Sequence, residues 1–248
     1  MYKMYKIINF LKFVPVFDKV IFFINNLRFQ IKNVSYSQAG EDAILRFLFF
    51  DYGKKVIEYL DLGTNKPTLN NNTYWFYKNG SKGTCVEADI DLVKLIQKRR
   101  GLDNIIHAGV SVSDSKEALF YIFDQPAINT FNKEEADLRL KSGVNKLLKT
   151  INVPLIKIND LIRNNFINYP DLLSIDIEGL DLDVLKEIDY HSYPIPVICV
   201  ESCDYSETHI KPKDNQIIEF LTSIGYEVYA DTYINTIFVN RKWFYKIN

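Results

Sequence analysis

The sequence predicts an α/β fold in which helices cover both faces of a mostly parallel β-sheet. Two observations predict this fold. Short apolar runs alternate with amphipathic segments along most of the chain, as strands and helices do in such proteins. Two β-like runs, 227–230 and 236–240, then close the chain with no helix between them, which predicts a terminal antiparallel hairpin. Because ligands bind beyond the carboxyl ends of parallel strands, the residues after each strand are candidates for a functional site.

The predicted elements follow in chain order. A helix is expected to open at 35–38, where Ser35 and Gln38 fit a capping box. The predicted strands are 56–62, 84–87, 105–110, 119–123, 154–158, 172–177 and 195–200, and the predicted helices are 72–78, 91–99, 161–166, 182–188 and 215–224. The stretch from the end of strand 119–123 to about Asn152 shows no clear helix or strand periodicity. Lys98, Arg99 and Arg100 are interpreted as cations placed favourably at a helix end.

The composition excludes several classes of protein. The 248 residues are 47% hydrophobic and 25% charged, which is ordinary for a globular chain. A net charge of −1 provides no general basic surface, so we expect no nucleic-acid partner. The three cysteines, Cys85, Cys199 and Cys203, are too few for a disulfide framework and lack the companions of a zinc site. We expect them to be buried, reduced thiols.

The N-terminal residues differ in character from the rest. We interpret 1–34 as an amphipathic arm and 35–248 as one domain. Lys12, Pro15, Asp18 and Lys19 interrupt the apolar stretch 10–27, so no run reaches the roughly 20 residues that span a bilayer. No convincing signal-peptide cleavage site follows. We therefore expect a cytoplasmic protein with no transmembrane span, whose arm packs on the core or on a second subunit as a homodimer. A membrane surface is the alternative.

The turn after the first predicted strand reads Asp-Leu-Gly-Thr-Asn at 61–65. Gly63 permits a tight turn and the close approach of a ligand. The Asp61 carboxylate would repel a pyrophosphate but attract the ammonium and sulfonium groups of S-adenosylmethionine. Asn65 and Pro67 stand where a dinucleotide-binding motif needs glycines, which disfavours a nicotinamide cofactor.

Acids also stand at or just after the ends of the predicted strands 84–87, 172–177 and 195–200. Glu87 can accept hydrogen bonds from both ribose hydroxyls, so Asp61 and Glu87 together would bracket a nucleoside with a cationic tail. Asp176 and Glu178 are expected to share one strand face, which is costly unless they are paired or functional. Glu201 follows the predicted strand 195–200. Asp204 and His209 are expected in its loop, and Asp114, after the third strand, either accepts from an adenine amino group or forms a Ser-Asp turn.

Four motifs, in order, resemble those of the FkbM methyltransferases. They are S-Q-A-G-E-D at 37–42, D-L-G-T-N at 61–65, the strand-end Glu87, and D-I-E-G at 176–179. The resemblance covers about Ser35 to Asn240. It implies a Rossmann-like class I methyltransferase with a mostly parallel seven-stranded sheet, a terminal antiparallel hairpin and helices on both faces. It also implies S-adenosyl-L-methionine as methyl donor and a hydroxyl group as acceptor. The donor-binding residues predicted on this basis are Gln38, Asp61, Gly63, Asn65, Thr73, Glu87, Asp114 and Glu178.

One position departs from the family pattern. The family has a glycine two residues after the asparagine of the first turn, where this chain has Lys66 and Pro67. Proline has no backbone N–H to donate. The methionine carboxylate of the donor is therefore expected at the N-terminus of the next helix, near Asn72 or Thr73.

An alcohol acceptor must lose a proton, so a general base is expected. Asp176 and His209 are the candidates, with Glu201 orienting the acceptor or the base. Asp176 could instead orient the amino group of the donor. Asp176, Glu201 and Asp204 could supply oxygen ligands to Mg²⁺, although no metal is expected.

The resemblance favours a small-molecule acceptor, namely a sugar or a nucleotide-sugar in surface polysaccharide (capsule) biosynthesis. Two alternatives remain open from the sequence. One is a nucleotide-sugar binding or scaffolding protein of the same fold without catalysis. The other is an NAD(P)-dependent oxidoreductase, which shares the sheet but would need the glycines that are missing after Gly63.

Overall fold

The computed structural model describes residues 34–177, 179–206, 209–213 and 215–246. The chain divides into two compact units, Met1–Ser35 and Tyr36–Asn248. The boundary lies one residue beyond the one predicted. The predicted amphipathic arm and any role it has in a homodimer lie outside the described residues. No helix in the described part of the chain is long and apolar enough to cross a bilayer.

The first half of the second unit alternates helices and strands. These elements are α1 (Glu41–Asp51), β1 (Glu58–Leu62), α2 (Tyr74–Lys78), β2 (Lys82–Glu87), α3 (Ile90–Arg99), β3 (Asn104–His107), β4 (Gly109–Ser111) and β5 (Glu117–Phe123). A 3₁₀ turn, Pro126–Ile128, follows β5.

The second half continues the pattern and ends in the predicted hairpin. Its elements are α4 (Lys133–Ser142), β6 (Leu147–Lys157), α5 (Ile158–Asn165), β7 (Leu172–Ile175), α6 (Asp181–Glu187), β8 (Val197–Glu201), β9 (Cys203–Ser206), β10 (His209–Lys213), α7 (Asn215–Ser223), β11 (Tyr226–Asp231), β12 (Asn235–Asn240) and α8 (Arg241–Phe244).

Seven strands form the central sheet in the order β11-β12-β8-β7-β1-β2-β3. β1 pairs in parallel with β2 and β7, whereas β12 is antiparallel to both β8 and β11. This arrangement confirms the mostly parallel seven-stranded sheet and its terminal hairpin. The chain reverses its direction of travel across the sheet between β1 and β7, and this switch point is where ligands bind in such folds.

Alternate side chains of each central strand enter different layers, as the period of a strand requires. On β1, Leu60 and Leu62 pack in a core with residues of α5, α6 and α7. Tyr59 packs on the opposite face, with residues of α1, α2 and α3. Helices therefore cover both faces, as predicted. Each buried leucine of this kind contributes about 1.5–3 kcal/mol to folding, which fixes the strand register.

The first helix begins later than predicted. Its N-cap residue is Gly40, at φ 95°, and its first residue is Glu41. Ser35 and Gln38 lie before the helix, so the predicted capping box is wrong. The Oγ of Ser37 instead accepts from the backbone N–H of Asp42 at 3.2 Å, and the Asp42 carboxylate accepts from Ser37 and from the backbone of Tyr36.

Two regions that the sequence left unclear form small sheets. β4, β5 and β6 make a three-stranded sheet, so the single strand predicted at 105–110 is in fact two strands in different sheets. With α4, this sheet forms an insert between β3 and α5. The segment after Glu201 forms the two-stranded sheet of β9 and β10 rather than a loop, so Asp204 and His209 both lie on strands. The three cysteines are buried and form no disulfide with one another, as predicted.

Candidate active site

A cavity lies at the carboxyl ends of β1, β2 and β7. It encloses about 740 Å³, including its open mouth. Its wall on the side of the central sheet contains Gly63, Asn65, Glu87, Ala88 and Asp176. The cavity therefore stands at the switch point where the sequence predicted the site.

Glu87 presents its carboxylate to this cavity from the end of β2. The side chain is buried, and its two oxygens accept from the backbone N–H groups of Asn65 and Asp89, at 2.8 and 2.9 Å. Burial raises the pKa of Glu87 to about 7, against the lowering effect of these hydrogen bonds. A carboxylate held rigidly by two backbone donors keeps lone pairs available for the hydroxyl groups of a ligand.

Gly63 brings the first turn against the strand beside it. Its φ is 74°, and a Cβ built on it would lie 1.9 Å from the backbone oxygen of Asp176. No side chain fits there, so the close approach predicted for Gly63 is to a neighbouring backbone. Asn65 follows in the left-handed conformation, at φ 51°, and its buried Oδ1 has no hydrogen-bond partner. Asn65 is thus part of the cavity wall, with its Oδ1 buried behind the surface.

Asp61 is placed differently from the direct ligand contact that was predicted. It is 4% exposed and is not part of the cavity wall. Its Oδ2 accepts from Thr73 Oγ1 at 2.6 Å and lies 3.4 Å from Nη1 of Arg100. Strand alternation turns Asp61 to the face opposite Leu60 and Leu62, which explains its position behind the turn. Burial raises its pKa although Arg100 and the hydrogen bonds oppose this effect.

Thr73 belongs to the same buried network. It is fully buried, and its hydroxyl also accepts from Nη2 of Arg100 at 2.9 Å. Asn72 donates to Ser174 Oγ at 3.3 Å. Neither residue lines the cavity, and the contact of Asn72 or Thr73 with the donor carboxylate stays a prediction. The helix that follows has only five residues and is anchored by Asn71, whose Oδ1 accepts from the backbone N–H of Tyr74 at 2.8 Å.

Arg100 is a residue that the sequence analysis misjudged. It is fully buried, and its Nε donates to Asp103 Oδ2 at 2.8 Å. Its charge lies over the rings of Tyr59 and Tyr77, at 5.4 and 5.6 Å from their centres. Its spacing in the sequence could have revealed this burial. Val93, Ile96 and Arg100 follow the spacing of one helix face, and the apolar side chains of the first two predict that this face is buried. Lys98 and Arg99 are exposed in the last turn of α3, which agrees with the predicted placement of cations at a helix end.

Asp176 and Glu201 come together at the ends of β7 and β8. Ile175 and Val200 are partners in the parallel register, so the next residue of each strand is brought alongside the other. A hydrogen bond from the Glu201 side chain favours the ionised form of Asp176. Asp176 opens on the cavity and keeps solvent access. Desolvation nevertheless raises the pKa of Asp176, and the charge of Asp61 adds to this effect.

Two further predicted site residues lie outside the cavity wall, and the side chains of two others are not described. Asp114 has a 97% exposed side chain that pairs with Lys157 at 2.5 Å and does not line the cavity, which favours the Ser-Asp turn over the adenine contact. Gln38 is exposed and lies outside the cavity wall. Glu178 lies outside the described residues, and β7 ends at Ile175, before the pair predicted to share its face. The backbone of His209 is in β10, and its side chain is outside the description.

The insert supplies a wall of the cavity that the sequence analysis did not foresee. Its contributions are Phe120, Pro126, Asn129, Thr130 and Phe131. The rings of Phe120 and Phe131 are 4.5 Å apart. These residues fall in or beside the stretch with no clear periodicity, so no sequence signal tied them to the site. Among the described residues, no cluster of three or more histidine, cysteine or acidic side chains is arranged to hold a metal ion.

The strand order, the antiparallel β12 and the cavity at the tips of β1, β2 and β7 define the Rossmann-like fold of class I methyltransferases. Residues 61–228 match the family described as the methyltransferase FkbM domain. That match covers more than half of the chain, and the protein belongs to the FkbM methyltransferase family. The resemblance seen in the four sequence motifs is thereby confirmed. No curated protein matches the sequence significantly.

Solved structures of other methyltransferases resemble the chain in fold. A TehB-like SAM-dependent methyltransferase from Corynebacterium glutamicum is 8% identical with a TM-score of 0.41, over 88% of this chain and 96% of that one. An O-methyltransferase from Bacillus cereus in complex with SAH is 14% identical with a TM-score of 0.40, over 87% of each chain. A 1,6-didemethyltoxoflavin-N1-methyltransferase from Burkholderia thailandensis is 11% identical with a TM-score of 0.39, over 80% of this chain and 74% of that one.

Proposed function

We propose that this protein transfers a methyl group from S-adenosyl-L-methionine to a hydroxyl oxygen of a sugar. The observation that carries the proposal is Glu87, a buried carboxylate at the end of β2 that faces the cavity. A strand-end acid at this position of a nucleotide-binding sheet accepts hydrogen bonds from the two ribose hydroxyls. Membership of a methyltransferase family supports S-adenosyl-L-methionine as the nucleoside that carries the methyl group.

The residues present fit such a donor. Asn65 offers an unpaired buried oxygen to a hydrogen-bond donor such as an ammonium group. Ala88, Leu92, Val110 and Phe131 give the same cavity an apolar section suited to a purine. When bound, the donor supplies a methyl group on a sulfonium, which is a strong leaving group. What remains for the protein is to position the acceptor and remove its proton.

The Asp176–Glu201 pair is the base in this proposal. The raised pKa of Asp176 makes its carboxylate a stronger proton acceptor than an ordinary aspartate. Glu201 orients it through their shared hydrogen bond. His209 remains the other candidate base. Asp61 acts behind the first turn, where it holds Thr73 and Arg100 rather than the ligand.

The acceptor class rests on the family rather than on a described contact. We take a sugar or nucleotide-sugar of surface polysaccharide synthesis as the acceptor, handled in the cytoplasm. The alternative is a non-catalytic sugar-nucleotide binding protein of the same fold. Both functions use the same cavity, and they differ only in whether a methyl group is transferred.

Calorimetry tests the donor first. S-adenosylhomocysteine should bind the parent protein, NADH should not, and Glu87→Ala should weaken binding at least tenfold, since two hydroxyl hydrogen bonds are lost. Arg99→Ala, an exposed change on the neighbouring helix, serves as the matched control and should bind normally. Equal affinity of the parent and Glu87→Ala proteins would sink the proposed donor site.

A radiolabelled methyl group tests the acceptor. The purified protein is incubated with labelled S-adenosylmethionine and a panel of sugars and nucleotide-sugars. Transfer to one of them, reduced about 10²–10⁴-fold in Asp176→Asn, supports the proposal. Donor binding without transfer to any hydroxyl would favour the non-catalytic alternative.

A further inference from the structure

Glu41 forms a buried link between the first helix and the terminal hairpin. Its side chain is fully buried at the start of α1. Oε1 accepts from Thr232 Oγ1 at 2.6 Å and from Asn235 Nδ2 at 2.9 Å, and Oε2 accepts from the backbone of Ala39 at 2.9 Å. Burial opposes ionisation of Glu41, but these hydrogen bonds outweigh it and lower its pKa. Glu41 is therefore a buried anion held by neutral donors.

The hairpin residue that binds Glu41 lies beside the carboxyl pair. Asn235, only 5% exposed, is the register partner of Glu201 across β12 and β8. The backbone of Ser202 donates to Ile234 at 2.8 Å and closes this end of the two strands. The tips of three adjacent strands thus present Asp176, Glu201 and Asn235 in a row, and Glu41 holds the third member.

We propose that Glu41 is a positioning residue for the Asp176–Glu201 pair and acts on it through Asn235. The inference rests on the proposed function, because the pair matters only if it handles the proton of the acceptor. Glu41 fixes the turn between β11 and β12, which fixes Asn235 and, through it, the end of β8. It also places a buried negative charge next to Asn235.

Other charged groups act on the same pair from the elements around it. Asp61 approaches from β1 and Asp181 from the start of α6, and each interacts electrostatically with Asp176. Lys213, from β10, donates to Thr236, the residue after Asn235, and forms an ion pair with Asp231. Glu41 is distinct among these groups because its contacts lead directly to the partner of Glu201.

Asp42 provides a matched control next to Glu41. It is also fully buried, and its carboxylate accepts from the backbone N–H of Tyr36 and from Ser37 Oγ in the preceding loop. Replacing either acid by its amide removes one buried carboxylate from the same helix turn. Only the change at Glu41 disturbs the link to Asn235.

The test is a carbon-13 NMR titration of the side-chain carboxyl groups in the full chain without donor, with Asp176 assigned through Asp176→Asn. Glu41→Gln should lower the apparent pKa of the pair by about 0.5 unit, the scale of one nearby charge lost, and Asp42→Asn should not. Asn235→Ala should also shift it, and the double variant should shift it no further than the larger single change. Equal shifts from Asp42→Asn and Glu41→Gln, or additive shifts in the double variant, would overturn the inference.

The titration is separate from the test of the donor. A parent protein that fails to bind S-adenosylhomocysteine defeats the proposed function whatever the titration gives. A parent protein that binds it while Glu41→Gln leaves the pair unshifted defeats only the role of Glu41. Circular dichroism confirms that each variant is folded before its titration is interpreted.

Discussion

Arg100 and Asp61 form a buried ion pair behind the first turn of the sheet, with Nη1 of the arginine 3.4 Å from Oδ2 of the carboxylate. Arg100 also donates to Asn71 Oδ1 at 3.1 Å, and Asn71 donates to the backbone oxygen of Thr64, also at 3.1 Å. The loop from Gly63 to Thr73 is thus tied down from inside the protein. This network explains how the turn is held although Lys66 and Pro67 replace the glycine that the family has there.

Replacing Arg100 by methionine should destabilise the protein strongly. The change leaves Asp61 and Asp103 buried without their cation, and breaking a buried pair in this way costs about 3–5 kcal/mol. Denaturant unfolding measures the loss. Arg99→Met, at the exposed neighbouring position, should stay within about 0.5 kcal/mol of the parent. Similar stabilities of the two variants would show that the network contributes little.

Gly63→Ala should destabilise the protein and abolish donor binding. The new Cβ would meet the Asp176 backbone oxygen at 1.9 Å, so the first turn and the end of β7 must separate. Gly143→Ala is the matched control, because its φ of 70° is close to the 74° of Gly63 but no atom lies within 4 Å of its Cβ position. The control isolates backbone strain, about 1 kcal/mol. Thermal unfolding and calorimetry with S-adenosylhomocysteine measure both effects, and equal losses in the two variants would contradict the steric argument.

Glu87 should make the ligand-free protein less stable as pH rises. Its pKa is about 7 in the folded protein against an ordinary 4.5, so between these values the folded state retains a proton that the unfolded state has released. The free energy of unfolding therefore falls with rising pH across this window. Glu87→Gln should flatten that slope and be more stable than the parent at about pH 8. Urea unfolding across this pH range gives the slopes, and identical slopes would show that Glu87 ionises normally.

Asp114→Ala should leave donor affinity within about twofold of the parent. The carboxylate is 97% exposed and pairs only with Lys157, and exposed pairs of this kind contribute little to stability. Calorimetry with S-adenosylhomocysteine checks the affinity. A tenfold loss would restore the adenine contact suggested by its position in the sequence.

The pattern of apolar and polar residues along the chain determined the secondary structure elements and the residues that follow them. Alternation of apolar runs gave the parallel sheet, and the missing helix between the last two runs gave the antiparallel hairpin. Strand-end position placed Glu87 and Asp176 at the cavity, because a parallel sheet gathers the carboxyl ends of its strands at one edge. Gly63 was identified from the turn directly after the first strand, which lies at the same edge of the sheet.

Tertiary structure alone decided which acids face a ligand and which face the protein. Asp61 and Glu87 both end a strand, yet only Glu87 lines the cavity, since the facing of a strand-end side chain depends on the pleat and on its partners. Arg100 was unrecognised because burial of a cation requires acceptors from distant segments. The insert wall and the Glu41–Asn235 link join residues far apart in sequence, and no local periodicity records such contacts.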